Sequence, residues 1–168
     1  MNISLKNNNT YITSDTHFGH RKEFIWQARG FNSIEEHDEI LIQNWNKRVR
    51  PQDSVYHLGD VCLQPETMID KILPRLNGKK YLILGNHDTN KKLFPYFEKV
   101  LSIYHYKDFV FSHVPIHPAQ MEFKWKNCLM CHGHIHGDSS FLGDKYFNVN
   151  IELNNNELWH VEEIRKKK

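Results

Sequence analysis

The chain has 168 residues, of which 39% are hydrophobic and 25% charged. That length and balance allow one sizeable buried core and suit a soluble globular protein better than a disordered or membrane-spanning one. Lys and Arg number 22 against 20 Asp and Glu, a formal charge of +2, so bulk electrostatics nominate no polyanionic partner.

Residues 1–10 are polar and Asn-rich, without the positive start and apolar stretch of a secretory signal, and the expected location is the cytoplasm with no membrane contact. One domain over residues 1–168 is expected. Residues 10–14 read as a first strand, followed by the polar stretch Asp15-Thr16-His17-Phe18-Gly19-His20. Ser33 and Glu36 have capping-box spacing, and Ile40, Leu41 and Trp45 recur at helical spacing up to about Val49.

Residues 54–58 form a second strand candidate that ends in Gly59-Asp60. Pro65 is placed to open a helix with Ile69, Ile72, Leu73 and Leu76 on one face, which Pro74 kinks or shortens. After the Asn77-Gly78 break, residues 81–84 are a continuous apolar run, as expected for a strand covered on both faces, ending in Gly85-Asn86-His87-Asp88. Residues 109–111 lead to Ser112-His113, and residues 128–131 to His132-Gly133-His134-Ile135-His136. Phe147, Val149, Ile151 and Leu153 alternate with polar residues and, with a turn at residues 154–156, predict a terminal hairpin. The basic run at residues 165–168 reads as a solvated tail.

Five times, then, a strand pattern runs into a polar cluster. One such cluster says little, since a lone histidine is more often a hydrogen-bonded structural residue, but loops that follow parallel strands gather at one sheet edge, where ligands bind. Twelve histidines make the clusters rich in imidazole. Carboxylate, imidazole and amide, with no required thiolate, suit hard to borderline divalent ions such as manganese, iron or zinc. His134 and His136, two apart, point to one side of an extended segment, and a small displacement of the loop aims them at neighbouring ions.

In their order, Asp15-Thr16-His17, Gly59-Asp60, Gly85-Asn86-His87, His113 and Gly133-His134-Ile135-His136 resemble the pattern of the calcineurin-like metallophosphoesterase family. A compact subgroup of small phosphoesterases is closer still, through residues 15–20, Asn44-Trp45-Asn46 and His57-Leu58-Gly59-Asp60. The resemblance implies an α/β fold in which two mixed β-sheets pack as a four-layer sandwich flanked by α-helices. It implies two divalent ions, manganese foremost, with iron, zinc and nickel as alternatives. Asp15, His17 and His136 would hold one ion, Asn86, His113 and His134 the other, and Asp60 would bridge them. His87 is the non-ligand histidine beside the reacting phosphate. The implied reaction is in-line attack on a phosphate ester by hydroxide held between the ions. Because the motifs use much of a short chain, little room is left for a cap domain. An open site favours diesters, including nucleotides or a nucleic-acid end, over monoesters. A phosphomonoesterase, a protein phosphatase and a non-catalytic metal-binding scaffold are the alternatives, and no oligomeric state follows.

Around the motif, His20 and Arg21 are candidate phosphate contacts, His57 and His117 candidate supports for the ligands, and residues 114–127 a candidate specificity loop. Trp26, Trp45, Trp125 and Trp159 are too spread out to define a base-stacking surface. Three cysteines, Cys62, Cys128 and Cys131, are too few for a disulfide framework and favour a reducing compartment. Cys128-Leu129-Met130-Cys131-His132 matches the short pattern of covalent haem attachment, which would require export. A structural zinc site on the two cysteines would lack a second cysteine pair, and two ordinary strand cysteines are the preferred reading.

Overall fold

Side chains that alternate along short apolar strands need cover on both faces, and two mixed sheets supply it. The computed structural model describes residues 9–63 and 66–167. Residues 1–8, Pro65 and Lys168, on which the readings of a leader, a helix start and the tail's end rest, lie outside that range. In the first sheet β1 (Thr10–Thr13), β2 (Ser54–His57), β3 (Lys79–Ile83) and β4 (Lys99–Leu101) run parallel, while β9 (Trp159–His160) pairs antiparallel with β1, giving the order β4-β3-β2-β1-β9. In the second, β5 (Ile103–Tyr106) is antiparallel to β6 (Phe109–Ser112), which runs parallel with β7 (Leu129–His132) and β8 (Tyr146–Asn148), in the order β5-β6-β7-β8.

The period of two sorts the core into layers. Tyr11, Val55 and Leu82 face Leu41 and Trp45 of α2 (Ile34–Arg48) and Ile69 of α3 (Glu66–Ile72). Ile12, Tyr56 and Ile83 turn the other way and meet Phe109, Phe111 and Cys131 of the second sheet. Val110 and Met130 point outward again, onto Met121 of α4 (Pro118–Lys124). Helix, sheet, sheet, helix is the result, the architecture expected from the resemblance. Among the described residues no helix is long and apolar enough to cross a membrane.

Ser33 caps α2 by accepting from Glu36 N at 3.1 Å, but the Glu36 carboxylate reaches back to Asn32 N at 2.7 Å, so half of the expected capping box forms. After α3, Pro74 sits in a tight 3-10 turn, Leu73–Arg75, which ends the α-helical run.

Residues 147–161 do not form the expected hairpin. The chain leaves β8 into a 3-10 turn, Ile151–Asn154, passes Asn155 and Asn156 in left-handed backbone at φ 52° and 59°, and enters β9 in the other sheet. The alternation was real, but it serves two cores: Val149 is buried between the sheets and Ile151 beneath the α2 layer. The basic end is not simply solvated either. Arg165 closes α5 (Val161–Arg165), pairs with Asp108 and lies 5.1 Å from the Phe109 ring centre, while Lys167 Nζ stands 4.3 Å from that of Trp159. Half of residues 114–127 fold into α4, capped by His117, whose Nδ1 accepts from Ala119 N at 3.2 Å.

Cys128 and Cys131 diverge. Cys131 is sealed between the sheets, whereas Cys128 lies on the outer side of the second sheet, 3.5 Å from His105 Nε2. With Cys131 and His132 both fully buried, neither haem attachment nor a shared zinc site is open to this pair.

Candidate metal centre

Parallel strands deliver their following loops to a common edge, so the segments after β1, β2, β3, β6 and β7 meet there. Asp15, His17, Asp60 and His134 all lie in left-handed backbone, at φ 55°, 50°, 57° and 66°. That conformation is strained for side-chain-bearing residues, and surrounding bonds hold it. Asp15 N donates to Gly59 O at 2.9 Å, His17 N to Asp60 O at 3.1 Å and Phe18 N to Val61 O at 2.9 Å, which zips the first two loops together. Asp88, buried, accepts from Gly85 N, Asp60 N and Val61 N at 2.8, 2.9 and 3.0 Å and ties in the third. Two glycines permit the close approach. A Cβ on Gly59, at φ +89°, would fall 2.5 Å from Gly85 N, and one on Gly133 would fall 2.3 Å from Asp15 Oδ2.

The side chains converge in two groups. Asp15 Oδ1 lies 3.8 Å from His17 Nε2 and 3.7 Å from His136 Nε2, and the two imidazole nitrogens are 3.3 Å apart. In the second group, Asn86 Oδ1 stands 3.0 Å from both His113 Nε2 and His134 Nδ1. Asp60 Oδ2 lies between the groups, 4.0 Å from His17 Nε2 and 3.5 Å from His113 Nε2. His134 and His136 part company because the left-handed backbone at His134 breaks the extended alternation, sending one imidazole toward each group.

The chemistry of these donors fits cations. His113 Nδ1 donates to Leu58 O at 2.7 Å, which leaves its Nε2 lone pair facing the Asn86 oxygen, acceptor against acceptor. Asp15 Oδ1 is buried without a hydrogen-bond partner among the described residues, and burial pushes the carboxyl above the usual carboxylate range. His17 is held neutral, its pKa pushed down to about 2 by burial and then by the nearby Arg29 charge. A bound cation resolves each of these conflicts, because it pairs with acceptor lone pairs and compensates a buried carboxylate.

A sixth loop, after β8, contributes what the sequence reading missed. Glu152 places both carboxylate oxygens 3.2 Å from His136 Nδ1, raising the basicity of that imidazole, and accepts from Gly137 N at 3.2 Å. Arg29, its side chain 1% exposed, donates to Glu152 at 3.3 Å and to the carbonyls of Asp15 and Thr16 at 2.7 and 3.1 Å. It also donates to His37 Nε2 at 2.9 Å. Burial keeps His37 neutral, and its Nδ1 donates in turn to Asp38, which accepts from Gly19 N at 2.9 Å. The polar Asn148-Val149-Asn150-Ile151-Glu152 at a strand end was the available signal for this loop.

Beside the two groups opens a cavity of 670 Å³. His87 is exposed on its wall, fixed by its N–H donating to Asp60 Oδ1 at 3.0 Å. His20 and Lys22 line it too, whereas Arg21 is exposed and outside the described lining. His57 is buried: Thr16 Oγ1 donates to Val61 O, so the His57 Nε2–H donates to Thr16 Oγ1 at 2.9 Å and braces the first loop from behind. His117 is the α4 cap and stands outside the site.

A profile of the calcineurin-like phosphoesterase family matches residues 9–168. The uncharacterized protein MJ1445 of Methanocaldococcus jannaschii is 33% identical over 150 residues, covering 85% of this chain and 80% of that protein. The gene 66 protein of Mycobacterium phage D29 is 25% identical over 196 residues, 94% of each. The crystal structure of the protein of unknown function AQ665 from Aquifex aeolicus superposes with a TM-score of 0.76 at 28% identity, covering 96% of this chain and 100% of that one.

Proposed function

The chain belongs to the calcineurin-like phosphoesterase family, and from that premise we propose that its residues 1–168 form one cytoplasmic hydrolase domain that cleaves phosphate esters, diesters ahead of monoesters, with two divalent ions, manganese foremost. Asp15, His17 and His136 would hold one ion in this reading, Asn86, His113 and His134 the other, with Asp60 placed to serve both. The observation that carries it is the facing of acceptor lone pairs across 3.0 Å between His113 Nε2 and Asn86 Oδ1, next to a buried Asp15 oxygen with no described partner.

Bound ions would supply charge neutralisation at the phosphate and would lower the pKa of a water for in-line attack. The chain's own groups do the remainder. The Leu58 carbonyl and the Glu152 carboxylate fix which ring nitrogen of His113 and His136 carries a lone pair toward the ions. His87, exposed on the cavity, donates its proton to the departing ester oxygen. The open side of the 670 Å³ cavity leaves room for a second ester arm, which supports the diester preference.

The test is hydrolysis of bis-p-nitrophenyl phosphate, p-nitrophenyl phosphate and a phosphopeptide by metal-stripped protein resupplied with manganese, beside Asp60→Asn and His87→Ala. Manganese-dependent turnover, faster on the diester and lost by at least about a hundredfold in both variants, is expected. Faster turnover of the monoester, or of a phosphopeptide, would replace the diester reading. A folded, metal-loaded protein inert toward all three would make the site a binding scaffold.

A further inference from the structure

The cavity has two chemically different walls. Ligand imidazoles and His87 form one; the other is α1 (Glu23–Ala28) with the preceding His20. Phe24 and Ala28, four apart on that short helix, turn the same way and line the cavity with Leu63 and the mostly buried Ile25. Phe24 is 63% exposed. A large ring held bare at the lip of a polar site is unfavourable in water and gains when a ligand covers it. None of residues 114–127 belongs to the described lining of this cavity.

The rings are ordered. His17, in the first ligand group, packs edge-on against His20 with centroids 5.7 Å apart and planes at 88°, and His20 packs edge-on against Phe24 at 5.5 Å and 71°. His20 is braced by accepting from Lys22 N at 3.1 Å. Two ring steps therefore lead from the centre to a largely exposed aromatic ring set steeply to the His20 imidazole. An aliphatic arm would be served by any apolar wall. A perpendicular pair of rings makes a corner that accepts a flat π-system, face on Phe24 and edge toward His20.

Resting on the phosphoesterase reading above, we propose that α1 is the specificity wall and that the non-leaving arm of the substrate is a nucleoside whose base stacks on Phe24, beside His20. Stacking of a base on an aromatic side chain gives a preference of about tenfold or more.

The experiment compares three diesters with the same p-nitrophenol leaving group, whose other arm is 5′-thymidine, methyl or n-hexyl, using manganese-loaded wild type, Phe24→Ala, Phe24→Leu and Phe24→Tyr. Wild type is expected to prefer the thymidine arm to methyl by about tenfold in kcat/KM. That ratio should fall to near unity in Phe24→Ala, stay low in Phe24→Leu, and return in Phe24→Tyr. A ratio unchanged in Phe24→Ala, or a hexyl arm preferred as strongly as thymidine, overturns the proposal while leaving the phosphoesterase reading intact. Absence of manganese-dependent turnover on all three diesters would instead remove the reading on which it rests. Circular dichroism of each variant separates a lost preference from a lost fold.

Discussion

Both carboxylate oxygens of Glu152 lie 3.2 Å from Nδ1 of His136, and this contact turns the opposite ring nitrogen toward Asp15, 3.7 Å away. The carboxylate is itself held by Arg29 at 3.3 Å, and the hydrogen bonds and charges of His136 and Arg29 outweigh burial in keeping its pKa below the usual range. A carboxylate behind a ligand imidazole fixes its tautomer and strengthens it as a donor.

Glu152→Gln keeps an acceptor near His136 but removes the charge. Manganese affinity should fall by about tenfold, by analogy with other carboxylate-imidazole supports. Titration of the stripped protein against a chelator of known affinity measures this. An unchanged affinity would mean that Glu152 only packs the loop.

Gly133→Ala should disable the centre without replacing a ligand. Its Cβ would stand 2.3 Å from Asp15 Oδ2 and 2.5 Å from Ser14 Oγ, so the carboxylate must move. A displacement on the order of 1 Å at such a centre costs roughly a hundredfold in turnover. Activity at saturating manganese and metal content by emission spectrometry check it together, and activity within a few-fold of wild type would show that the loops yield.

His57 gives a pH signature. Burial pushes its pKa down to about 3 from an ordinary 6.5, with His113 adding a smaller effect. Between those values the unfolded chain binds a proton that the fold refuses. The stability this group contributes is fully present above pH 6.5 and is lost as the pH falls toward 3. Between about pH 7 and pH 5, wild type should therefore lose about 2 kcal/mol more than His57→Gln. The glutamine can still donate to Thr16. Urea unfolding at the two pH values provides the comparison, and parallel losses would contradict a neutral buried imidazole.

The thiols should separate by burial. Cys131 is fully buried with its pKa raised by desolvation, Cys62 is buried with its sulfur donating to Phe18 O, and Cys128 is partly exposed. In native protein a thiol reagent should modify Cys128 at least about tenfold faster than the other two, since reaction needs an accessible thiolate. Peptide mapping after timed labelling shows the order. Replacing Cys128 and Cys131 together by Ser should leave bound manganese unchanged.

Much of the site was legible because its residues are local to strand ends. A run such as Tyr81-Leu82-Ile83-Leu84 announces a covered strand, and Gly85-Asn86-His87 directly after it announces a loop at the edge. Short elements with mixed patterns were not legible: α1, β4 and β5 carry too few periodic residues to stand out. The alternation at Val149 and Ile151 misled, because it predicted one strand face where the fold buries the two side chains in separate layers.

By itself the sequence determined which residue types line the loops, their order, and hence the family and the kind of ion they suit. Tertiary structure alone decided the partners at long range. Arg29 meets Glu152 across 123 residues, the left-handed backbone of His134 parts it from His136, and α1 swings Phe24 to the mouth of the cavity. The reason is physical: hydrophobic periodicity encodes which face of a segment is buried, whereas which buried or exposed groups then meet depends on how sheets and loops pack in space.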